Sequence, residues 1–200
     1  MTDALQKYAS DPAVRQLLLV SGPDSSKGGN DPSQGGTASS EGEARLYVKD
    51  AGTWKEVLRC PAILGRGGLG KEREGDMKTP VGDFGILCAF GLKDNPGTSL
   101  EYIKADESLY CCGEEGPDYN RFVRRPCDGE HICDYVPEYN YGIFPDYNAG
   151  GVYPAGSAIF IHVRGARDYT AGCVALSEEI MERLLKELGP DARIIISPAR

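Results

Sequence analysis

Two residues near the C-terminus have the types and spacing for nucleophilic catalysis. In the run SAIFIHVRGARDYTAGCVALS, residues 157–177, His162 sits late in an apolar strand pattern and Cys173 follows eleven residues on. A thiol needs a neighbouring base or positive charge to act as a thiolate at neutral pH, and histidine supplies both. A hairpin around Gly165–Tyr169 would bring the two side chains together. Gly172 leaves the backbone bare beside the thiol, so a substrate carbonyl could approach the amides near Cys173 as an oxyanion hole. The same residue types also occur in ordinary cores: a cysteine in an apolar strand is commonly packing, and a strand histidine is commonly a satisfied polar group. Linear spacing alone does not separate these readings.

The elements that must position such a pair are mostly strands. Gln16–Val20 (QLLLV) reads as a buried strand. Arg45–Lys49 and Trp54–Leu58 read as a hairpin about the turn residues Asp50-Ala51-Gly52. Further strands are expected near Phe84–Ala89, Tyr141–Phe144, Ser157–Val163 and Ala192–Ser197, with Lys93–Tyr141 irregular. One helix is expected, Glu178–Leu188. Ser177 caps it, Glu178 and Glu179 sit at the positive end of its dipole, and Gly189-Pro190 stops it. Residues 1–14 read as an N-terminal tail. Residues 15–200 read as a single mainly β domain, with a flexible Gly/Ser-rich loop at 22–43 that holds too few apolar side chains to offset its ordering entropy.

Composition narrows the partners. The chain has 200 residues and a formal net charge of -8. A charge of that sign repels phosphate backbones, so no nucleic-acid partner is expected. No apolar run is long enough for a membrane span or the core of a signal segment. The seven cysteines fit up to three disulfides and one free thiol, which leans toward an extracytoplasmic setting. Cys111, Cys112, Cys127, His131 and Cys133 raise a zinc site, but their spacing is poor for one. No metal or cofactor is expected, and His131 reads as structural. Gly65–Gly70 lacks the Gly-Lys-[Ser/Thr] ending of a phosphate loop.

Three segments then resemble one family in its own order. Thr170-Ala171-Gly172-Cys173-Val174 resembles the S-x-G-C-[IV] signature of the L,D-transpeptidase catalytic domain, the YkuD family. Gly75-Asp76-Met77-Lys78-Thr79-Pro80-Val81-Gly82-Asp83-Phe84 is similar to its G-D-x-x-T-P-x-G-x-F segment, and Gly156–His162 to the strand that delivers its histidine. The sequence differs from the pattern at Val163, Ala171 and Ala175, and Thr170 replaces a serine. The resemblance implies a β-sandwich or barrel-like mixed sheet with one late α-helix. It implies Cys173 as nucleophile and His162 as base, with Gly172 and Thr170 on the oxyanion and substrate side. The Gly75–Phe84 segment reads first as structural support, with Lys78 or Arg73 as the candidate to meet a substrate carboxylate. The expected reaction is attack on the carbonyl of the third, L-centred residue of a peptidoglycan stem peptide, release of D-alanine, and transfer of the thioester-bound acyl group to a neighbouring amine, in the cell envelope or outside the cell. A carboxypeptidase using water as acceptor, or a non-catalytic wall-binding module, are the alternatives.

Overall fold

The computed structural model describes residues 3–22 and 40–199. The chain runs α1 (Asp3–Lys7), β1 (Gln16–Gly22), β2 (Glu41–Asp50), β3 (Thr53–Ile63), β4 (Gly82–Phe84), β5 (Ile86–Gly91), β6 (Tyr102–Lys104), β7 (Tyr110–Cys112), β8 (Phe122–Val123) and β9 (Gly129–His131). It continues through β10 (Gly142–Pro145), β11 (Ile161–Val163), β12 (Val174–Leu176), α2 (Glu178–Glu187) and β13 (Arg193–Pro198). The mainly β architecture expected from the sequence is present. Ten strands form one mixed sheet in the order β4-β13-β1-β2-β3-β12-β11-β10-β5-β6, and β8-β7-β9 form a small second sheet. The pairs β1/β13, β11/β12 and β5/β6 are parallel and the other pairs in the large sheet are antiparallel.

The β2–β3 hairpin closes through Ala51 and Gly52, both with positive φ (46° and 82°), and Asp50 pairs with Thr53. Two left-handed residues make the turn whose twist matches the flanking strands. Ser177 caps α2 by accepting from the Ile180 amide, and Met181, Leu184 and Leu185 bury its inner face. Those side chains join Leu18, Leu46, Ile161, Val174 and Ile194 in the main core. Each such burial contributes about 1.5–3 kcal/mol.

Several elements depart from the sequence reading. Residues 3–14 are integral to the domain, since Leu5, Tyr8 and Val14 are buried against Leu17 and Tyr47. The loop expected at 22–43 falls largely on residues 23–39, outside the described residues, while Gly22 and Glu41–Glu43 at its ends are strand. The stretch from Lys93 to Tyr141 carries the small sheet and two 3-10 turns, at Ile132–Asp134 and Glu138–Asn140. The SAIFIHV run is a strand only over Ile161–Val163, because Ala158 takes a positive φ of 51° that ends the extended run upstream.

Disulfide content differs as well. Among the described residues one disulfide forms, Cys112–Cys127, and Cys60, Cys88, Cys111, Cys133 and Cys173 are free. Cys60 lies in the main apolar cluster, and Cys88 and Cys111 lie in a second one, where each behaves as a small hydrophobe. No group of three or more potential metal ligands occurs among the described residues. His131 is taken up by Asp134 and the Glu107 carbonyl and stacks on Tyr110.

Candidate active site

Cys173 lies at the entry to β12, directly after Gly172. The parallel register sets Ile161 beside Val174 and His162 beside Ala175. Side chains alternate along a strand, so Cys173, Ala175, Phe160 and His162 share one face of the sheet. Cys173 and Phe160 pack in a second apolar cluster with Cys88, Cys111, Tyr139 and Phe144. The thiol donates to the Ala158 carbonyl at 3.2 Å and receives the Phe160 amide at 3.3 Å. Ala158 is held in its left-handed conformation by Asn120, whose Oδ1 accepts from the Ala158 amide at 3.0 Å while its Nδ2 donates to the carbonyls of Tyr147 and Asn148.

The two family segments meet at the Cys173 carbonyl. Thr170 Oγ1 donates to it at 2.7 Å and Thr79 Oγ1 reaches it at 3.4 Å. Thr79 is fully buried, and its hydroxyl also accepts from the Gly65 amide at 2.8 Å. The threonines of T-A-G-C-V and of G-D-M-K-T-P therefore fix the peptide that carries Cys173. Thr170, expected on the substrate side, has its hydroxyl bonded to the chain itself. The Gly172 amide is likewise engaged, donating to Thr170 Oγ1 at 3.1 Å. Gly172 has φ +146°, and a Cβ there would lie 2.8 Å from the Lys78 carbonyl and 3.0 Å from Ile159 Cδ1. Gly172→Ala should therefore lower stability by roughly 1–3 kcal/mol, measured by urea unfolding. An unchanged unfolding midpoint would show that the close approach is relaxed.

A cleft of about 250 Å³ opens on Cys173, lined by Lys71, Glu74, Cys111, Glu130, Ser157 and Ala171, among others. Lys78 does not line it. Its amide binds Asp76, and its carbonyl backs Gly172. The cation at the site is Lys71, which the sequence reading passed over. Its side chain is 1% exposed and its Nζ lies 3.0 Å from Asp76 Oδ1. The glycines at 156 and 172 make room for it, since a Cβ at Gly156 would lie 2.3 Å from Lys71 Cε and one at Gly172 3.6 Å from its Nζ. Burial by itself would raise the Asp76 pKa. The amides of Glu72, Lys78 and Arg73, with Lys71, overrule it and hold the carboxyl down at about 2.

Burial pushes the Cys173 thiol up to about 12, and Glu130 adds to the rise, while the Phe160 amide and Lys71 oppose it. His162 is 7% exposed. Burial lowers its pKa, against its bond to the Val163 carbonyl and the charge of Glu138. Its Nδ1 lies 2.8 Å from the Val163 carbonyl. A carbonyl there assigns the proton to Nδ1, which leaves Nε2 with a lone pair. The resting pair is thus neutral thiol and neutral imidazole, not thiolate and imidazolium. His162 sits in the same buried layer as Cys173, edge-on to Tyr139 at 5.5 Å between ring centroids, and outside the residues that line the cleft.

The positive charge nearest this chemistry is therefore a lysine, and it has a measurable consequence. Lys71→Met keeps the stem between the two glycines and removes the charge. Alkylation of Cys173 by iodoacetamide should slow about tenfold or more at pH 8, with its pH midpoint displaced upward. An unchanged pH profile would remove Lys71 from the control of the thiol. A larger groove of about 790 Å³, bordered by Lys7, Arg45, Asp83 and Pro198, lies away from Cys173 and contains neither cysteine nor histidine.

The model of the YkuD family, described as the L,D-transpeptidase catalytic domain, matches residues 38–196. No curated protein matches. Among solved structures, the helical cell shape determining protein Pgp2 from Campylobacter jejuni is 15% identical, with a TM-score of 0.47 over 99% of this chain and 55% of that one. Bd1075 from Bdellovibrio bacteriovorus is 15% identical, with a TM-score of 0.46 over 92% of this chain and 48% of that one. An Enterococcus faecium L,D-transpeptidase (C442S mutant) is 14% identical, with a TM-score of 0.37 over 76% of this chain and 45% of that one. The chain spans about half the length of these structures.

Proposed function

Since the chain belongs to the YkuD family of L,D-transpeptidase catalytic domains, we propose that it is a cysteine-dependent L,D-transpeptidase acting on peptidoglycan stem peptides. The observation that carries this reading is the placement of Cys173. Its thiol borders a cleft, and its carbonyl is clamped by one threonine from each of two family segments. A wall-binding module that had merely kept the fold has no use for a thiol positioned in this way.

In this mechanism the Cys173 thiol attacks the carbonyl of the third stem residue and its proton passes to His162 Nε2. The tetrahedral oxyanion forms beside the Lys71 ammonium. The C–N bond to D-alanine then breaks, and the leaving amine takes up a proton from the imidazolium. A thioester remains, which splits one difficult exchange into two easier ones. An amine from a neighbouring stem attacks the thioester, the new amide forms, and the thiol is regenerated. Burial favours this order of events. A thiol kept neutral in the resting state ionises only when a substrate carbonyl is present to take up the charge.

A location outside the cytoplasm fits the family's work on the cell wall, and the Cys112–Cys127 disulfide is at home in an oxidising compartment. No helix of the described residues is long and apolar enough to cross a membrane. Incubation with a tetrapeptide stem, followed by mass spectrometry of the products, tests the reading. Release of D-alanine with a cross-linked dimer is expected. D-alanine with only tripeptide would assign water as the acceptor and make the protein a carboxypeptidase. Intact tetrapeptide after prolonged incubation would overturn the reading.

A further inference from the structure

Glu130 is a half-buried residue with no part in the reaction given above. It lies in β9, whose register with β7 sets it beside Cys111. The small sheet thereby brings it to the same cleft as Cys173. The Tyr139 hydroxyl donates to its Oε2. Tyr139 in turn stands between Glu130 and His162, with its ring edge-on to the imidazole. A carboxyl at the mouth of a cysteine cleft, oriented by a buried tyrosine, is placed to meet whatever attacks a thioester on that sulfur.

We propose that Glu130 is a catalytic residue, the general base that takes the proton from the nucleophile attacking the Cys173 thioester and returns it to the sulfur. The proposal rests on acyl transfer through Cys173. In the step, the acceptor nitrogen forms a bond to the acyl carbon and the carbon–sulfur bond breaks. The acceptor ammonium first gives one proton to water; one proton of the attacking free amine then moves to the Glu130 carboxylate and on to the departing thiolate. The products are an amide and the free thiol, so atoms and charge balance. With water as acceptor, the same transfer gives a carboxylic acid.

The surroundings suit this task. Burial raises the Glu130 pKa to about 7, against the Tyr139 hydrogen bond and with the help of Glu74. A base is most effective when it titrates near the working pH. Lys71 is the single cation among the residues that line the cleft, with Glu74 and Asp128 as the other carboxylates. From the neighbouring turn, Tyr135 and Tyr139 face it with hydroxyls whose pKa values are raised, first by burial and then by Glu130 itself. The Cys111 thiol is also pushed up, again first by burial and then by Glu130. None of these three competes for the proton near neutrality. Three carboxylates against one lysine also favour an incoming ammonium over an anion.

A 4-nitrophenyl ester of an N-acetylated amino acid separates the two half-reactions without a stem peptide. The burst of nitrophenolate reads acylation of Cys173, and the steady state with added glycinamide reads transfer. Glu130→Gln keeps an acceptor for Tyr139 and loses the titration. Its steady-state rate should fall about 100-fold or more while the burst persists, and the rise in the hydrolytic rate between pH 6 and 8, read without glycinamide, should disappear. Glu130→Asp, which still titrates, should restore part of that rise. An unchanged pH profile in Glu130→Gln would overturn the proposal, as would a Glu130→Asp profile as flat as that of Gln. A wild-type burst without turnover of tetrapeptide stems would sink the peptidoglycan assignment and leave Glu130 standing. Absence of any burst in the wild type would remove both.

Discussion

Cys173→Ala should abolish acyl transfer, with a fall in turnover on the order of 10⁶-fold, the scale seen when an enzyme loses its nucleophile. The same change should abolish the covalent adduct left by a carbapenem, which acylates active-site thiolates. The physical reason is positional. Five cysteines are free among the described residues, and Cys173 and Cys111 are the two that border the cleft. Of these, Cys173 alone has the Lys71 charge lowering its pKa. Alanine removes the sulfur and little else, since the Thr170 and Thr79 bonds go to the backbone carbonyl at this position. Intact-mass spectrometry after exposure to the carbapenem checks the adduct. A persistent adduct in Cys173→Ala would transfer the nucleophile's role to another side chain.

His162→Gln should lower the acylation rate by about 10²–10⁴-fold, the usual range for loss of a general acid–base group. Glutamine keeps a polar end for the Val163 carbonyl but cannot take the thiol proton. Its effect should be larger on the burst phase than on the steady state of the activated ester, the reverse of Glu130→Gln. Equal burst rates in the two proteins would remove His162 from the mechanism. Stability supplies an internal control. Burial depresses the folded-state pKa of His162. The unfolded chain therefore binds a proton that the folded protein refuses, and stability is lost as pH falls through about 6.5. His162→Gln should remove that acid-side loss, so its melting temperature should change less than that of the wild type between pH 7 and pH 5.5.

Some of this protein was legible in one dimension. The helix at 178–187 was written in its cap, its periodicity and its stop, because each is a local property of the backbone. The hairpin at 41–63 was equally local, since two left-handed residues at its turn decide both twist and register. The candidate nucleophile could be named from the sequence as well. Gly172 next to Cys173 and the Gly75–Phe84 segment are short motifs whose meaning survives without coordinates. The small sheet at 110–131 was not legible: its strands are two or three residues long, too short to show a period of two. The cysteine pairing was also beyond reach, because connectivity depends on which chains approach one another in space.

What the tertiary structure decided is the electrostatics of the site. From sequence, Lys71, Asp76 and Glu130 are three among 52 charged residues, with nothing to separate them from a solvated surface. Packing singles them out. Lys71 is buried against Asp76 in a space that exists because residues 156 and 172 have no side chain. Glu130 is carried into the same cleft by a sheet invisible to pattern. Spacing could suggest that a histidine and a cysteine share a strand face. Whether the pair rests charged or neutral follows from how much water the fold excludes around it, because a desolvated thiol and a desolvated imidazole each favour their uncharged form. A sequence records which ionisable groups are present, and only the folded arrangement fixes the dielectric and the neighbouring charges that determine what those groups do.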